Sequence, residues 1–138
     1  MILETERLIL REMGQADFHD LAEILQDPKV MYAYEHDFSE SDVQEWLDRQ
    51  ADRYRKYGFG LWAAVLKDTN EIIGQAGLTV QPYKNTEVLE IGYLLKERFW
   101  HYGYAKEAAC GCKEYAFQHL NRDKAVSYTH LTLPTTPY

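Results

Sequence analysis

The run Arg98-Phe99-Trp100-His101-Tyr102-Gly103-Tyr104-Ala105-Lys106-Glu107-Ala108 has the residue types and spacing with the clearest chemical meaning in this chain. Upstream of it, Glu90-Ile91-Gly92-Tyr93-Leu94-Leu95 alternates as a strand does. Downstream, Ala105 opens an alanine-rich helical pattern. A strand, a short turn and a helix in that order leave the first backbone N–H groups of the helix without acceptors, at the positive end of its macrodipole. Such a terminus holds an anion without needing a basic side chain. Gly103 allows the tight turn, and the small Ala105 allows a phosphate to approach. A bare Gly-x-Ala pair occurs at many strand–turn–helix junctions, so the spacing by itself is equally well explained by packing.

The other reactive side chains form no constellation. Cys110 and Cys112 are the only cysteines. At that spacing on a helix they point to different faces, and a zinc knuckle needs two further ligands. They read as small packing residues. His19, His119 and His130 have no spaced partners, so no metal site is expected. Trp46, Trp62 and Tyr115 fall on apolar stripes and read as core.

The elements that must position the Glu90–Ala108 run follow from periodicity and punctuation. Met1 to Met13 reads as a strand and Gln15 to Asp27 as a helix that Pro28 interrupts. Val30 to Asp37 reads as a loop carrying Tyr32, Tyr34, Glu35 and His36. Ser39 and Asp42 form a capping-box-like start to a second helix, with Phe38 and Val43 placed as a hydrophobic staple and Gly58 and Gly60 at its end. Phe59 to Leu66 and Glu71 to Val80 read as strands joined by a polar turn. Gly74 and Gly77 inside the second of these mark a bulge or a close backbone approach. Gln81 to Asn85, with Pro82, reads as a loop. Glu87 to Leu95 is the next strand, with Leu89, Ile91, Tyr93 and Leu95 on one face. Ala105 to Leu120 is a helix.

Four motifs in this order resemble the GNAT N-acetyltransferase superfamily, in particular the branch containing the ribosomal-protein alanine and serine N-acetyltransferases. They are Thr5-Glu6-Arg7-Leu8-Ile9-Leu10-Arg11, Ile73-Gly74-Gln75-Ala76-Gly77, Glu90-Ile91-Gly92-Tyr93-Leu94-Leu95 and Trp100 to Ala108. Each is unspecific alone; together they cover Thr5 to about Leu120. The resemblance implies an α/β (α+β) fold with a mixed, mainly antiparallel sheet flanked by helices in the order β-α-α-β-β-β-α-(β). It implies acetyl-CoA as co-substrate, its pyrophosphate held by backbone amides of His101, Tyr102, Gly103, Tyr104 and Ala105. It further implies that the pantetheine arm pairs with the backbone of Tyr93, Leu94 and Leu95. Trp100 stands where the superfamily usually has Gln or Arg, which this branch allows.

Acyl transfer from a thioester to an amine needs a deprotonated amine, a donor for the carbonyl oxygen and a proton for the leaving thiolate. Glu90 is the candidate base, since it lies on the strand beside the thioester, opposite Ile91 and Tyr93. A solvated or lysine-paired carboxylate explains it equally well, and Glu87 is the alternative nearer the strand start. Glu35 and His36 lie where the family receives its acceptor, although a solvated loop is the better account of them. The implied partners are acetyl-CoA and an amine acceptor, either a small molecule or a protein N-terminus; a homodimer stays open. The resemblance implies direct attack in a ternary complex, and neither cysteine suggests an acyl-enzyme. A non-catalytic acyl-CoA-binding domain on the same fold is the rival reading.

The chain has 138 residues, 46% hydrophobic and 27% charged, which is a length for one domain. A net charge of −7 argues against nucleic-acid binding, which needs a basic face. No apolar run reaches membrane-spanning length and no signal-peptide pattern opens the chain, so no membrane partner and a cytoplasmic location are expected. Residues 126–138, Val126-Ser127-Tyr128-Thr129-His130-Leu131 and onward, resemble one translated frame of a sequencing-library adapter. The expectation is therefore a domain over residues 1–125 followed by an artefactual tail, without the family's last helix and strands and without its thiolate-protonating residue. Poor side-chain packing of the tail is expected, with 132–138 irregular, even if an open sheet edge draws part of it into a strand.

Overall fold

The computed structural model describes residues 1–34, 37–119 and, as backbone, 127–132. A six-stranded sheet, in the order β1-β2-β3-β4-β5-β6, forms its centre. The strands are β1 (Leu3–Glu4), β2 (Leu8–Arg11), β3 (Leu61–Leu66), β4 (Ile72–Tyr83), β5 (Thr86–Leu95) and β6 (Ser127–Thr132). The first five pair antiparallel; β6 lies parallel to β5. The helices are α1 (Phe18–Leu25), α2 (Glu40–Tyr57) and α3 (Tyr104–His119).

Strand alternation divides the core into two layers. Trp62 and Ala64 of β3, Leu78 of β4, and Leu89, Ile91, Tyr93 and Leu95 of β5 pack with Ala105, Ala108, Cys112 and Ala116 of α3. On the other face Ala63, Val65 and Leu94 pack with Leu21, Ile24 and Leu25 of α1 and Val43 and Leu47 of α2. Trp62 is wholly buried, as its stripe predicts. Cys112 is buried and Cys110 exposed, and burial pushes the Cys112 thiol up to about 12.

Beyond shifts of one or two residues at the ends of β3, β5, α1 and α3, three segments differ from the sequence reading. The strand expected over Met1 to Met13 is a hairpin. The Thr5 amide donates to the Leu8 carbonyl at 2.8 Å and the Leu8 amide to Thr5 Oγ1 at 3.1 Å, so the chain turns between Glu4 and Leu8, through Thr5-Glu6-Arg7. The helix expected from Gln15 begins as a single 3-10 turn, Gln15–Asp17, and α1 proper starts at Phe18. Asp17 holds that turn: it accepts the Gly14 amide at 2.8 Å and both guanidinium ends of Arg11 at 3.0 Å. The loop expected over Gln81 to Asn85 is instead the continuation of β4 to a two-residue turn. Lys84 and Asn85 both take positive φ, 47° and 69°, as tight hairpins require. Pro82 is tolerated because it faces Glu87 one pair in from the turn, where its missing N–H points away from β5, and β3 has already ended opposite Gly77.

Helix α2 begins as its cap predicts. The Asp42 amide donates to Ser39 Oγ at 3.1 Å and the Ser39 amide to Asp42 Oδ2 at 3.0 Å. It ends at Gly58 with φ 80°. The expectations on Glu35, His36, Leu120 and residues 133–138 lie outside the described residues. Residues 127–132 form β6, from Val88↔Ser127 to Gly92↔Thr132 along β5.

Gly77 marks a close approach of backbones. A Cβ there would stand 2.0 Å from the Gly60 carbonyl oxygen, whereas one on Gly14 would meet nothing within 4 Å. Gly77→Ala should therefore cost about 1–3 kcal/mol of overpacking while Gly14→Ala stays within about 0.5 kcal/mol. Urea unfolding of the two variants checks this, and equal midpoints would contradict the β3–β4 packing described here.

Candidate functional site

Pairing places residues on the α2 face of the sheet in cross-strand rows: Gln75↔Leu94, Gly77↔Gly92 and Thr79↔Glu90. With β3, a bulge between Ala64 and Val65 sets this parity in β4. The row between Thr79/Glu90 and Gln75/Leu94 is two glycines, so no side chain fills it. A cavity of about 260 Å³ opens there, lined by Gln75, Thr79, Glu90, Gly92 and Leu94 from the sheet and by Trp46, Arg49, Gln50 and Arg53 from α2, with Tyr34 at its side. Glu90 is half-buried on this wall. Burial, and secondarily the charge of Glu90, raise the Tyr34 hydroxyl above its ordinary value, which keeps it an O–H donor.

Gln50 sets the distance between α2 and the sheet. It is buried, its Oε1 accepts the Leu61 amide and Arg53 Nη1, each at 3.1 Å, and its Nε2 donates to the Trp46 carbonyl at 3.2 Å. Trp46 is half-buried, packs against the core layer of α1 and α2, and its Nε1 donates to Gln75 Oε1 at 3.1 Å across the cavity.

The second part of the site lies past the end of β5. The ladder with β6 runs to Gly92, three residues before β5 ends at Leu95. A 3-10 turn, Glu97–Phe99, and the turn His101-Tyr102-Gly103 then lead into α3. His101 and Gly103 take left-handed φ, 73° and 83°. A small pocket is lined by Leu95, Trp100, His101, Gly103, Tyr104 and Ala105. Trp100 Nε1 donates to the Leu95 carbonyl at 3.0 Å, folding the loop back on the strand end. The amides of Tyr104, Ala105 and Lys106 open the helix with no acceptor inside it. Glu90 and the loop therefore do not touch. They are the two ends of one strand segment, separated along β5 by about 17 Å.

Among the described residues several ion pairs hold the loop, and those of Lys96 and Glu107 are the most buried of them. Lys96, 3% exposed, places Nζ 2.8 Å from Asp20 and 3.3 Å from Glu23 of α1. Glu107, in the first turn of α3, receives the Arg7 amide at 2.8 Å, Arg7 Nε at 2.7 Å and the Thr5 hydroxyl. Arg7 Nη1 also donates to the Tyr102 carbonyl at 3.1 Å, and its guanidinium lies 4.3 Å from the centre of the Tyr104 ring. The first and fourth sequence motifs are thus two halves of one clamp.

Sequence reasoning missed Tyr34, Arg49, Gln50, Arg53, Gln75 and Thr79. A signal for several of them existed. Gln75, Thr79 and Gln81 are polar residues at even spacing in β4, and Gln50 and Arg53 share the helical stripe of Trp46. Among the described residues no group of His, Cys, Asp and Glu could hold a metal, and no helix is long and apolar enough to cross a membrane.

The family model described as acetyltransferase (GNAT) domain matches residues 7–132. The chain is 39% identical to the uncharacterized protein YkkB of Bacillus subtilis over 116 residues, 83% of this chain and 67% of that one. It is 28% identical to the uncharacterized N-acetyltransferase YnaD of Bacillus subtilis over 129 residues, 92% and 72% of the two chains. A solved acetyltransferase from Agrobacterium tumefaciens superposes with a TM-score of 0.72 at 30% identity, over 87% of this chain and 68% of that one.

The Glu107 carboxyl lies below its ordinary value. Burial, the largest influence, pushes it up, and the bonds from Thr5 and Arg7 together outweigh this. A carboxyl lowered in the folded state stabilises above its unfolded value, and that contribution is lost as pH falls through the folded one. Glu107→Gln should lose about 1–3 kcal/mol at pH 7. Its stability should also fall less steeply than the parent's as pH drops below about 4.5. Urea midpoints across that range measure both, and parallel curves would contradict the clamp.

Proposed function

The chain belongs to the GNAT acetyltransferase family, whose members use acetyl-CoA as co-substrate, and from that we propose that it acetylates a primary amine by direct attack in a ternary complex. The observation that carries this reading is the continuity of β5, which carries the Glu90 carboxylate facing a cavity and leads on, through the loop after Leu95, to the N-terminus of α3. In this reading the backbone of His101, Tyr102, Gly103, Tyr104 and Ala105 holds the coenzyme pyrophosphate. The pantetheine arm runs back along Tyr93, Leu94 and Leu95, past the point where the β6 ladder ends. The thioester then arrives near Glu90.

Glu90 accepts the proton of the incoming ammonium. The amine nitrogen attacks the thioester carbonyl, the C–N bond forms, and the C–S bond breaks with its electrons leaving on sulfur as thiolate. No cysteine lines the cavity, and the Cys112 thiol is buried and held protonated, which supports direct attack over an acyl-enzyme. The acceptor is a small-molecule amine or a protein N-terminus.

Two variants separate the parts. Glu90→Gln should lower turnover by about 10²- to 10⁴-fold and leave coenzyme binding unchanged, measured by thiol release and by calorimetry. Undiminished turnover would remove Glu90 from the mechanism. Gly103→Glu should abolish coenzyme binding with the far-ultraviolet spectrum intact, because a carboxylate there meets the pyrophosphate. Gly103→Asn, which tolerates positive φ, is the control for backbone strain. Unchanged affinity in the Glu variant would sink the loop assignment.

A further inference from the structure

We propose that the acceptor amine carries a carboxylate, held by Arg49 and Arg53 at the α2 wall of the Glu90 cavity, so that the substrate class is small amino acids; this rests on the acetyl-transfer reading above.

Arg49 and Arg53 stand four residues apart on α2, so both fall on one helix face, and both line the cavity. Neither forms an ion pair among the described residues, in a chain with net charge −7. The Arg53 guanidinium is held below its ordinary value, by burial first and by the charge of Arg49 second. The two cations therefore repel across the cavity wall, and an anion between them relieves that repulsion. The nearby acids Asp42 and Glu45 border an adjoining depression that Arg49 also borders.

Gln75 supplies an independent observation. It is 1% exposed and lines the same cavity. Its Oε1 is committed to Trp46 Nε1–H, which fixes the orientation of the amide, and its Nε2 has no acceptor. A buried donor in that condition is costly until it meets an acceptor, and a ligand carboxylate in this cavity supplies one. Arg49 and Arg53 on the α2 wall, with Gln75 and Glu90 two rows apart on the sheet wall, match a zwitterion: ammonium toward Glu90, carboxylate toward the arginines and Gln75. About 260 Å³ admits one small molecule. A polyamine would set cations against Arg49 and Arg53, and a peptide N-terminus would bring a neutral amide where the carboxylate belongs.

The step balances as follows. The ammonium gives one proton to Glu90, the free amine forms the bond to the acetyl carbon, and the C–S bond breaks to thiolate, which takes up the second proton that the nitrogen loses after attack. The products are the N-acetyl amino acid, coenzyme A thiol and one proton released to solvent.

The test uses the whole 138-residue chain with coenzyme A present. Calorimetry compares each free L-amino acid with its carboxamide, and with spermidine. At least one amino acid should bind about tenfold more tightly than its carboxamide. Arg49→Gln, at an exposed position bordering the cavity, should bring that ratio to about one, and Arg49→Lys should retain part of it, with circular dichroism confirming the fold. Carboxamides or spermidine binding as tightly as the acids, no amino acid binding, or a ratio indifferent to Arg49→Gln would overturn the proposal. Thiol release on the same amines tests the underlying reading separately. Release with neutral amines and no carboxylate preference sinks the inference alone. A carboxylate preference with no release from any amine upholds carboxylate recognition and sinks acetyl transfer.

Discussion

The parity of β5 governs this molecule. Leu89, Ile91, Tyr93 and Leu95 must all point toward α3, because that layer of the core is built on them. A strand has only two faces, so Glu90, Gly92 and Leu94 are committed to the other. A one-residue slip would bury Glu90 under α3 and turn Ile91 into the cavity. The ten-pair ladder with β4 and the two-residue turn at Lys84-Asn85 make that slip impossible without breaking the hairpin. The candidate base is therefore positioned by core packing that it takes no part in.

The far end of β5 depends on charge rather than on apolar packing. The loop between β5 and α3 is held from both sides, by Lys96 reaching α1 and by Glu107 reaching the β1–β2 turn. An exposed ion pair contributes little, but these bonds are partly buried and involve backbone amides, where hydrogen bonds to a charged group count for more. A loop whose backbone amides are to bind a ligand cannot use those amides to fasten itself. Its fastening falls to side chains from the flanking elements.

The elements themselves were legible in the sequence where a local rule decides them. The Ser39–Asp42 cap, a glycine at position 58 ending α2 and the alternation of β5 are set by neighbours in the chain, and the structure has them as read. The turn inside residues 3–11 was hidden because Thr5 and Leu8 make it with a side-chain bond that interrupts an otherwise plausible strand pattern. Pro82 pointed to a loop because the rule against strand proline ignores where β3 stops. In the site, Glu90 and the loop residues could be named but not joined, since their relation is a length of strand. The role of Arg7 was invisible for a different reason. Its partner Glu107 lies 100 positions away, and no periodicity links them. The cavity residues on α2 escaped because Arg49, Gln50 and Arg53 look, residue by residue, like any solvated helix face.

The parallel placement of β6 beside β5 has a consequence for the order in which this protein forms. The β3–β4–β5 meander closes through short turns, so its contacts are local and cheap in loop entropy. The β5–β6 pairing must wait until α3 and the segment after it have left the ribosome. The wall carrying Glu90 can therefore assemble while helix α3 is still being made. During that interval the outer edge of β5 presents open backbone groups, which makes it the segment of the nascent chain most in need of protection from other strands.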